Sequence, residues 1–325
     1  YKEIGGTPVA FKSGSEEYSY GDSGNGSEGE LYYNASNGQF EFVGLAIGAW
    51  SSGGSLNTAR NGAAASKNGT QNSSLAFGGE GGVKNESESY NGTSWTEGNN
   101  LNTARSVMGG AGTLTAAIGA AGNPGGGSVT DATEQYDGTS WSEITEINTA
   151  RFNLQGSGLQ TAALMFTGFF PGPTYTTLNE SWNGSSWTEL ADTNTGRSAG
   201  AGFGLTNTAA IIAGGEPGTI ADVESWNGTS WTEVNNLNTA RLGSGGAGSS
   251  TNGLVFGGAP NPKAQTEAWD GTSWTEVADL AQARNTLGGA GTASAALAIG
   301  GAIPPNSALT EEWTFVHPIK TVTTS

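Results

Sequence analysis

The chain contains no cysteine, which excludes disulfides, thiolate catalysis and cysteine-ligated metals. It has one histidine, His317, so no multi-histidine metal centre can be assembled from it. Charged residues make up only 13% of its 325 positions, about half the usual share. Positive charge is the scarcer sign: Lys and Arg total 12 against 29 Asp and Glu, a formal net charge of −17. So acidic a chain is a poor ligand for phosphate backbones or anionic lipid, and neither nucleic acid nor membrane is expected as a partner. No apolar run approaches the roughly 18–20 residues of a membrane span. The opening YKEIGGTPVAF has no signal-peptide layout.

Glycine (55 residues) and tryptophan (10 residues) are abundant. The tryptophans, with 35% hydrophobic residues, argue for a packed core. Solubility then falls to Ser, Thr and Asn.

The chain is periodic, and a period of this size decides the fold class. SW, or AW in the first instance, recurs at Trp50, Trp95, Trp141, Trp187, Trp231 and Trp274, in steps of 45, 46, 46, 44 and 43. Ten residues after each Trp stands Arg60, Arg105, Arg151, Arg197, Arg241 or Arg284, and these are all the arginines. A second aromatic recurs at Tyr90, Tyr136, Trp182, Trp226, Trp269 and Trp313, each preceded two residues earlier by Glu88, Glu134, Glu180, Glu224, Glu267 or Glu311.

Each unit offers four short strand candidates. The first follows the Arg and is Gly/Ala-rich. The second is apolar and stops at a glycine pair such as Gly78-Gly79 or Gly214-Gly215, replaced by Ala121-Gly122 and Thr167-Gly168 in two units. The third ends at the E-x-[YW] aromatic, and the fourth carries the SW tryptophan. NG or DG between the last two is a strong hairpin signal. Four strands repeated every 43–46 residues describe an all-β fold, a β-propeller. Small residues suit strands crowded at the axis, and Trp suits the wedge between blades.

Counting predicts six blades. The last unit, from Arg284, supplies three strands, and the missing fourth is the orphan around Trp50. The propeller then spans 46–315, with a strand near 46–52 completing the blade formed by 284–315. Residues 1–45 lie outside the ring: 13–29 read as a linker, and 29–44 as a hairpin turning at Asn37-Gly38. Residues 316–325 form a tail, either a strand or a disordered end.

Residues that obey the repeat are expected to be structural. The six arginines and their glutamates predict a ring of buried Arg–Glu or Arg–carbonyl contacts locking adjacent blades, for which the planar guanidinium is suited. The YDGTSW phrase is loosely similar to the Asp-box of sialidases, but Asp137-Gly138 and Asp270-Gly271 are adjacent where that motif has an intervening residue. A hairpin turn selected for positive φ accounts for it. The N-x-[ST] sites at Asn68, Asn91, Asn183 and Asn227 are explained mostly by the same turn. No catalytic residue, metal ligand or cofactor is assigned.

Function is sought where the units differ, in the Pro-rich connections between second and third strands. On a rigid scaffold such loops are where binding residues collect. GFFPGPTY, with Phe169, Phe170 and Tyr175, is the most aromatic and is the candidate contact patch; packing against its neighbour is the competing reading. These loops and the NTAR connections are expected on one face, with the NG hairpins on the other.

The unit resembles the kelch repeat over roughly residues 47–315. Copper oxidases with kelch propellers need histidines and a modified cysteine that this chain lacks. The order YKEIGGTPVAF, GELYYN…GQFEFVG, then W-SSGG-LNTAR resembles kelch-like proteins of tailed phages, especially marine and cyanobacterial ones. That resemblance implies a non-enzymatic virion structural protein, an appendage, fibre or decoration on the particle surface and oligomeric there. Residues 1–45 would contact other virion proteins, and the propeller would face host glycan or protein. Two alternatives stay open: a lyase or glycosidase on a propeller scaffold, and a cellular or secreted kelch adhesin.

Overall fold

The computed structural model describes residues 31–34, 39–43, 47–303, 305–316 and 319–321. The linker at 13–29, the Asn37-Gly38 turn, Pro304 and His317 lie outside them. Among the described residues every regular element is a β-strand. They fall into two units, Gly48–Phe315, and Tyr1–Ile47 with Val316–Ser325.

The larger unit is a six-bladed β-propeller. The second blade shows the pattern: Gly109–Thr113, Ala116–Ala120, Thr133–Tyr136 and Trp141–Glu143 pair antiparallel in chain order. The first strands of successive blades lie side by side around the whole ring, ending with Gly288–Thr292 against Ala64–Ala65. The sixth blade combines Gly288–Thr292, Ala295–Ile299 and Thr310–Val316 with the N-terminal strand Ile47–Ser52, as the orphan Trp50 predicts. Closure leaves the ring without a first or last blade edge to pair with another chain.

Side-chain size sorts the strands radially. At the axis neighbouring blades meet backbone to backbone. A Cβ on Gly110 would lie 2.7 Å from Ala65 O, and one on Gly156 would lie 2.4 Å from Gly110 O. No larger residue fits those positions without moving a strand. Farther out, buried residues form six apolar clusters, each drawn from two adjacent blades. The core is thus six wedges between blades.

The fourth-strand tryptophans fill the outer part of these wedges. Trp95, Trp141, Trp187, Trp231 and Trp274 are buried, and Trp50 is partly buried against the sixth wedge. Each of the five stacks on the third-strand aromatic beside it, as in Tyr90–Trp95 (4.9 Å between centroids), Trp182–Trp187 (5.3 Å) and Trp269–Trp274 (5.1 Å). Indole N–H groups reach to the preceding blade: Trp95 donates to Thr310 Oγ1, Trp141 to Ser87 Oγ and Trp50 to Thr266 Oγ1. Trp187 departs from these three in its acceptor. It donates to a backbone carbonyl, Thr145 O, at 3.1 Å, in the connection that leaves the preceding blade. An aromatic buries about 150–250 Å², worth an upper limit of roughly 4–6 kcal/mol at ~25 cal/mol per Å². The residues after Trp are exposed in three blades, with a half-buried Val234 or Val277 closing the strand in two others, so Trp is the fourth strand's one fully buried anchor.

The smaller unit contains Leu31–Asn34 and Gln39–Val43, paired antiparallel as a hairpin with Asn34 opposite Gln39. Ile319–Thr321 adds a third strand against Gln39–Val43. Part of the segment set apart above as a tail therefore shares a sheet with the N-terminal hairpin.

Candidate binding site at the propeller axis

The repeat arginines are all fully buried, and each forms an ion pair with the repeat glutamate. In the fourth blade Arg197 meets Glu224 at 2.6 Å and donates to the carbonyls of Gly214 and Asp222. The carboxylate also accepts the N–H groups of Asn194 and Thr195, while Asn194 Nδ2 donates to both Glu224 and Trp231 O. This corrects the expected geometry. The pair does not bridge two sheets, since Arg197 and Glu224 belong to the same blade. What it locks is the NTAR connection arriving from the previous blade. Desolvation pushes the guanidinium of Arg284 down to about 10, still charged at neutral pH. With every arginine so engaged, none is available for a ligand.

The turn asparagines and aspartates are likewise occupied. Asp137 Oδ1 accepts the N–H groups of Thr139 and Ser140, both at 2.8 Å, and these bonds hold its carboxyl below the usual range. Asn91, Asn183 and Asn227 do the same. Asn68 departs from this group, for it lies in the connection between the first two strands of the first blade.

The second residue after each arginine creates the axial site's frame. Gly62, Val107, Asn153, Ala199, Gly243 and Thr286 all have positive φ, between 46° and 61°. Each donates its N–H to the carbonyl of its counterpart in the preceding blade, from Val107 N to Gly62 O (2.9 Å) round to Gly62 N to Thr286 O (2.9 Å). Six backbone hydrogen bonds thus close a circle around the axis. Side chains of several kinds share this role because the contact is made by backbone alone.

Above that circle, on the face of the variable loops, lies a funnel of about 230 Å³ lined by Asn61, Glu80, Asn123, Phe152, Asn153 and Glu216 among others. The residue after each arginine bridges to the start of its blade's variable loop, as in Asn61 with Glu80 and Phe152 with Phe169. NTAR connections and variable loops therefore do share one face. One wall carries Phe152, and behind it Phe169 packs against both Phe152 and Tyr175, with centroids 5.2 Å apart in both cases. Tyr175 donates to Glu216 Oε2 of the next blade at 3.2 Å, and burial together with that carboxylate pushes its hydroxyl pKa up. The other wall is amide-rich: Asn61 Nδ2 donates to Asn306 Oδ1 at 2.7 Å, and Asn306 Nδ2 to Glu80 O at 3.0 Å.

Comparison with protein-family models gives no match, and comparison with the curated proteins gives none either. Function is therefore read from the site.

None of the three aromatic candidates lines the funnel itself; Phe169 and Tyr175 reach it only through their contacts with the lining residues Phe152 and Glu216. Phe169–Phe170 and Thr174–Tyr175 form a short hairpin of their own, and Phe170 pairs there with Thr174 without lining the funnel. All three rings remain half-buried, so self-packing and exposure are both real. Phe152 escapes a reading confined to the loops, whereas Glu80 and Glu216 lie in those loops without an aromatic signal to single them out. Phe152 has a signal, since its position holds Asn or Ser in four of the six units and Leu242 in another. Among the described residues no three acidic or histidine side chains converge as a metal cage.

Proposed function

We propose that the protein is a non-enzymatic structural protein of a phage virion, whose kelch-like propeller contacts a host-surface glycan at the axial funnel. The observation carrying this reading is an aromatic cluster, Phe152 in the funnel backed by Phe169 and Tyr175, beside the carboxylate and amide groups that line one concave mouth. Aromatic faces stack on the apolar faces of sugar rings, and a few placed polar groups select hydroxyls. Support for the virion setting is the phrase order GELYYN…GQFEFVG followed by W-SSGG-LNTAR, with residues 1–45 as the segment that joins other virion proteins. Against catalysis, the two carboxylates of the funnel belong to opposite blades, and the arginines are consumed by the repeat.

The test is binding of the purified protein to an array of bacterial envelope glycans. Replacing Phe169 and Tyr175 by Ala is expected to weaken the best ligand by at least about tenfold, ~1.4 kcal/mol. Undiminished binding would remove the funnel from the proposal. The same glycans incubated with protein should release no reducing ends; release would make the protein an enzyme. A chain lacking residues 1–45 should no longer incorporate into particles, and incorporation would refute the attachment role.

A further inference from the structure

The seventh residue after each repeat arginine is glycine in five units, Gly112, Gly158, Gly204, Gly248 and Gly291, and lysine, Lys67, in the first. Because the first strands converge on the axis, this level of the channel has five positions without a side chain and one with an ammonium.

The first blade also differs in the link between its first two strands. In the other blades two residues make the turn, whereas here residues 66–73 do. This longer connection is tied to three other blades. Asn68 N–H donates to Gly112 O of the second blade at 2.9 Å, and Gly291 N–H of the sixth donates to Lys67 O at 3.4 Å. Asn68 Nδ2 donates to Leu205 O of the fourth blade, opposite in the ring, at 2.7 Å. The connection thus lies across the axis and floors the channel. The cavity above it, about 70 Å³, shares Val107, Asn153, Ala199, Gly243 and Thr286 with the funnel.

Lys67 lines this cavity, and no other lining residue is titratable. The six first strands packed around it carry no charged side chain. Among the described residues Lys67 has no ion-pair partner, in a chain with a net charge of −17. Lys67 is half-buried, and desolvation lowers its pKa to about 8, the response of a cation that has lost part of its hydration without gaining a counter-charge. A second polar group lines the same space. Gln155 occupies the fourth position after its arginine, where the other blades have Ala64, Gly109, Ala201, Gly245 and Gly288. Its Oε1 accepts from Gly202 N–H at 3.2 Å, which leaves Nε2 a donor without a protein partner among the described residues.

We propose that the floored axial cavity binds a small carboxylate, an acid group of acetate size held between the Lys67 ammonium and the Gln155 amide. The cavity suits a group of a few heavy atoms. A carboxylate beside the ammonium supplies the missing counter-charge, raises the lysine pKa, and is bound with uptake of a proton above pH ~8. Affinity therefore falls as the pH rises from 8 toward 10. The site stands apart from the glycan reading, because neither Phe169, Tyr175 nor Glu216 lines the cavity that Lys67 lines.

The experiment is titration of the full chain with sodium acetate, against sodium chloride at equal ionic strength, following the Lys67 Cε resonance by NMR. Acetate should shift that resonance saturably and raise the lysine pKa. An unmoved pKa, or the same shift with chloride, overturns the proposal. Lys67→Met should abolish the rise in Tm that acetate causes, while folding at least as stably without acetate, since it removes a desolvated charge. Retention of that rise in Lys67→Met also overturns it. If Lys67→Met fails to fold, Gln155→Ala provides the reading: acetate affinity should fall about tenfold, and an unchanged affinity refutes the site.

Discussion

Asn179 and Ser87 occupy the same place in two blades and satisfy it differently. Ser87 Oγ donates to Asn99 O and accepts from Trp141 Nε1, so one hydroxyl serves both neighbours. Asn179 Nδ2 donates to Ala191 O, but its Oδ1 and Trp231 Nε1 are both buried without partners. Asn179→Ser should give Trp231 its acceptor and raise the stability of the propeller by about 1 kcal/mol. The denaturation midpoint in urea measures this, and a lower midpoint would show that the lost amide volume outweighs the gained bond. Thr167 is a comparable compromise. It holds the first position of the glycine pair at φ 60°, a conformation β-branched residues rarely adopt. These are the places where the repeat signals and the repeat geometry disagree. The role of Asn in NTAR was not legible from spacing, because its partners, Glu224 and Trp231 for Asn194, lie on other strands.

The connection between blades depends on a buried ion pair. Glu224 accepts two backbone N–H groups of the NTAR segment as well as the Arg197 guanidinium. Glu224→Ala would leave Arg197 buried and unpaired, and is expected to cost about 3–5 kcal/mol. Replacing both by apolar residues, Arg197→Met with Glu224→Leu, should cost less, because the stranded charge is the larger penalty. If the single and double variants unfold at the same urea concentration, the clamp acts through packing and not through charge. Strand count, hairpin turns and radial sorting were readable because each carries a side-chain signature: NG for the turn, Gly/Ala for the axis, Trp for the wedge. The circle of left-handed residues at Gly62, Val107 and their counterparts was not, since it uses backbone groups that every residue has.

Ring closure has its own latch. Tyr90 in the first blade donates to Glu312 Oε1 in the sixth at 2.5 Å and accepts from Gly54 N–H. Burial, followed by the bond to Glu312, pushes its hydroxyl from 10.0 up to about 12. A folded-state pKa above the unfolded value means stability that is whole below pH 10 and lost as pH rises toward 12. Tyr90→Phe should flatten the dependence of stability on pH over that window. An unchanged slope would assign alkaline loss to another group.

Periodicity alone specified six blades, the closing strand at Ile47–Ser52 and the structural character of the arginines and tryptophans. It could do so because a repeated position meets the same surroundings in every blade, and those surroundings select the same residue. The axis obeys a different logic. Phe152, Glu216, Gln155 and Lys67 are remote in the chain and follow no shared pattern, so their meeting depends on the closed ring drawing six first strands and their connections to one line. Which side chains face one another there is a property of the assembled circle, and no single unit encodes it.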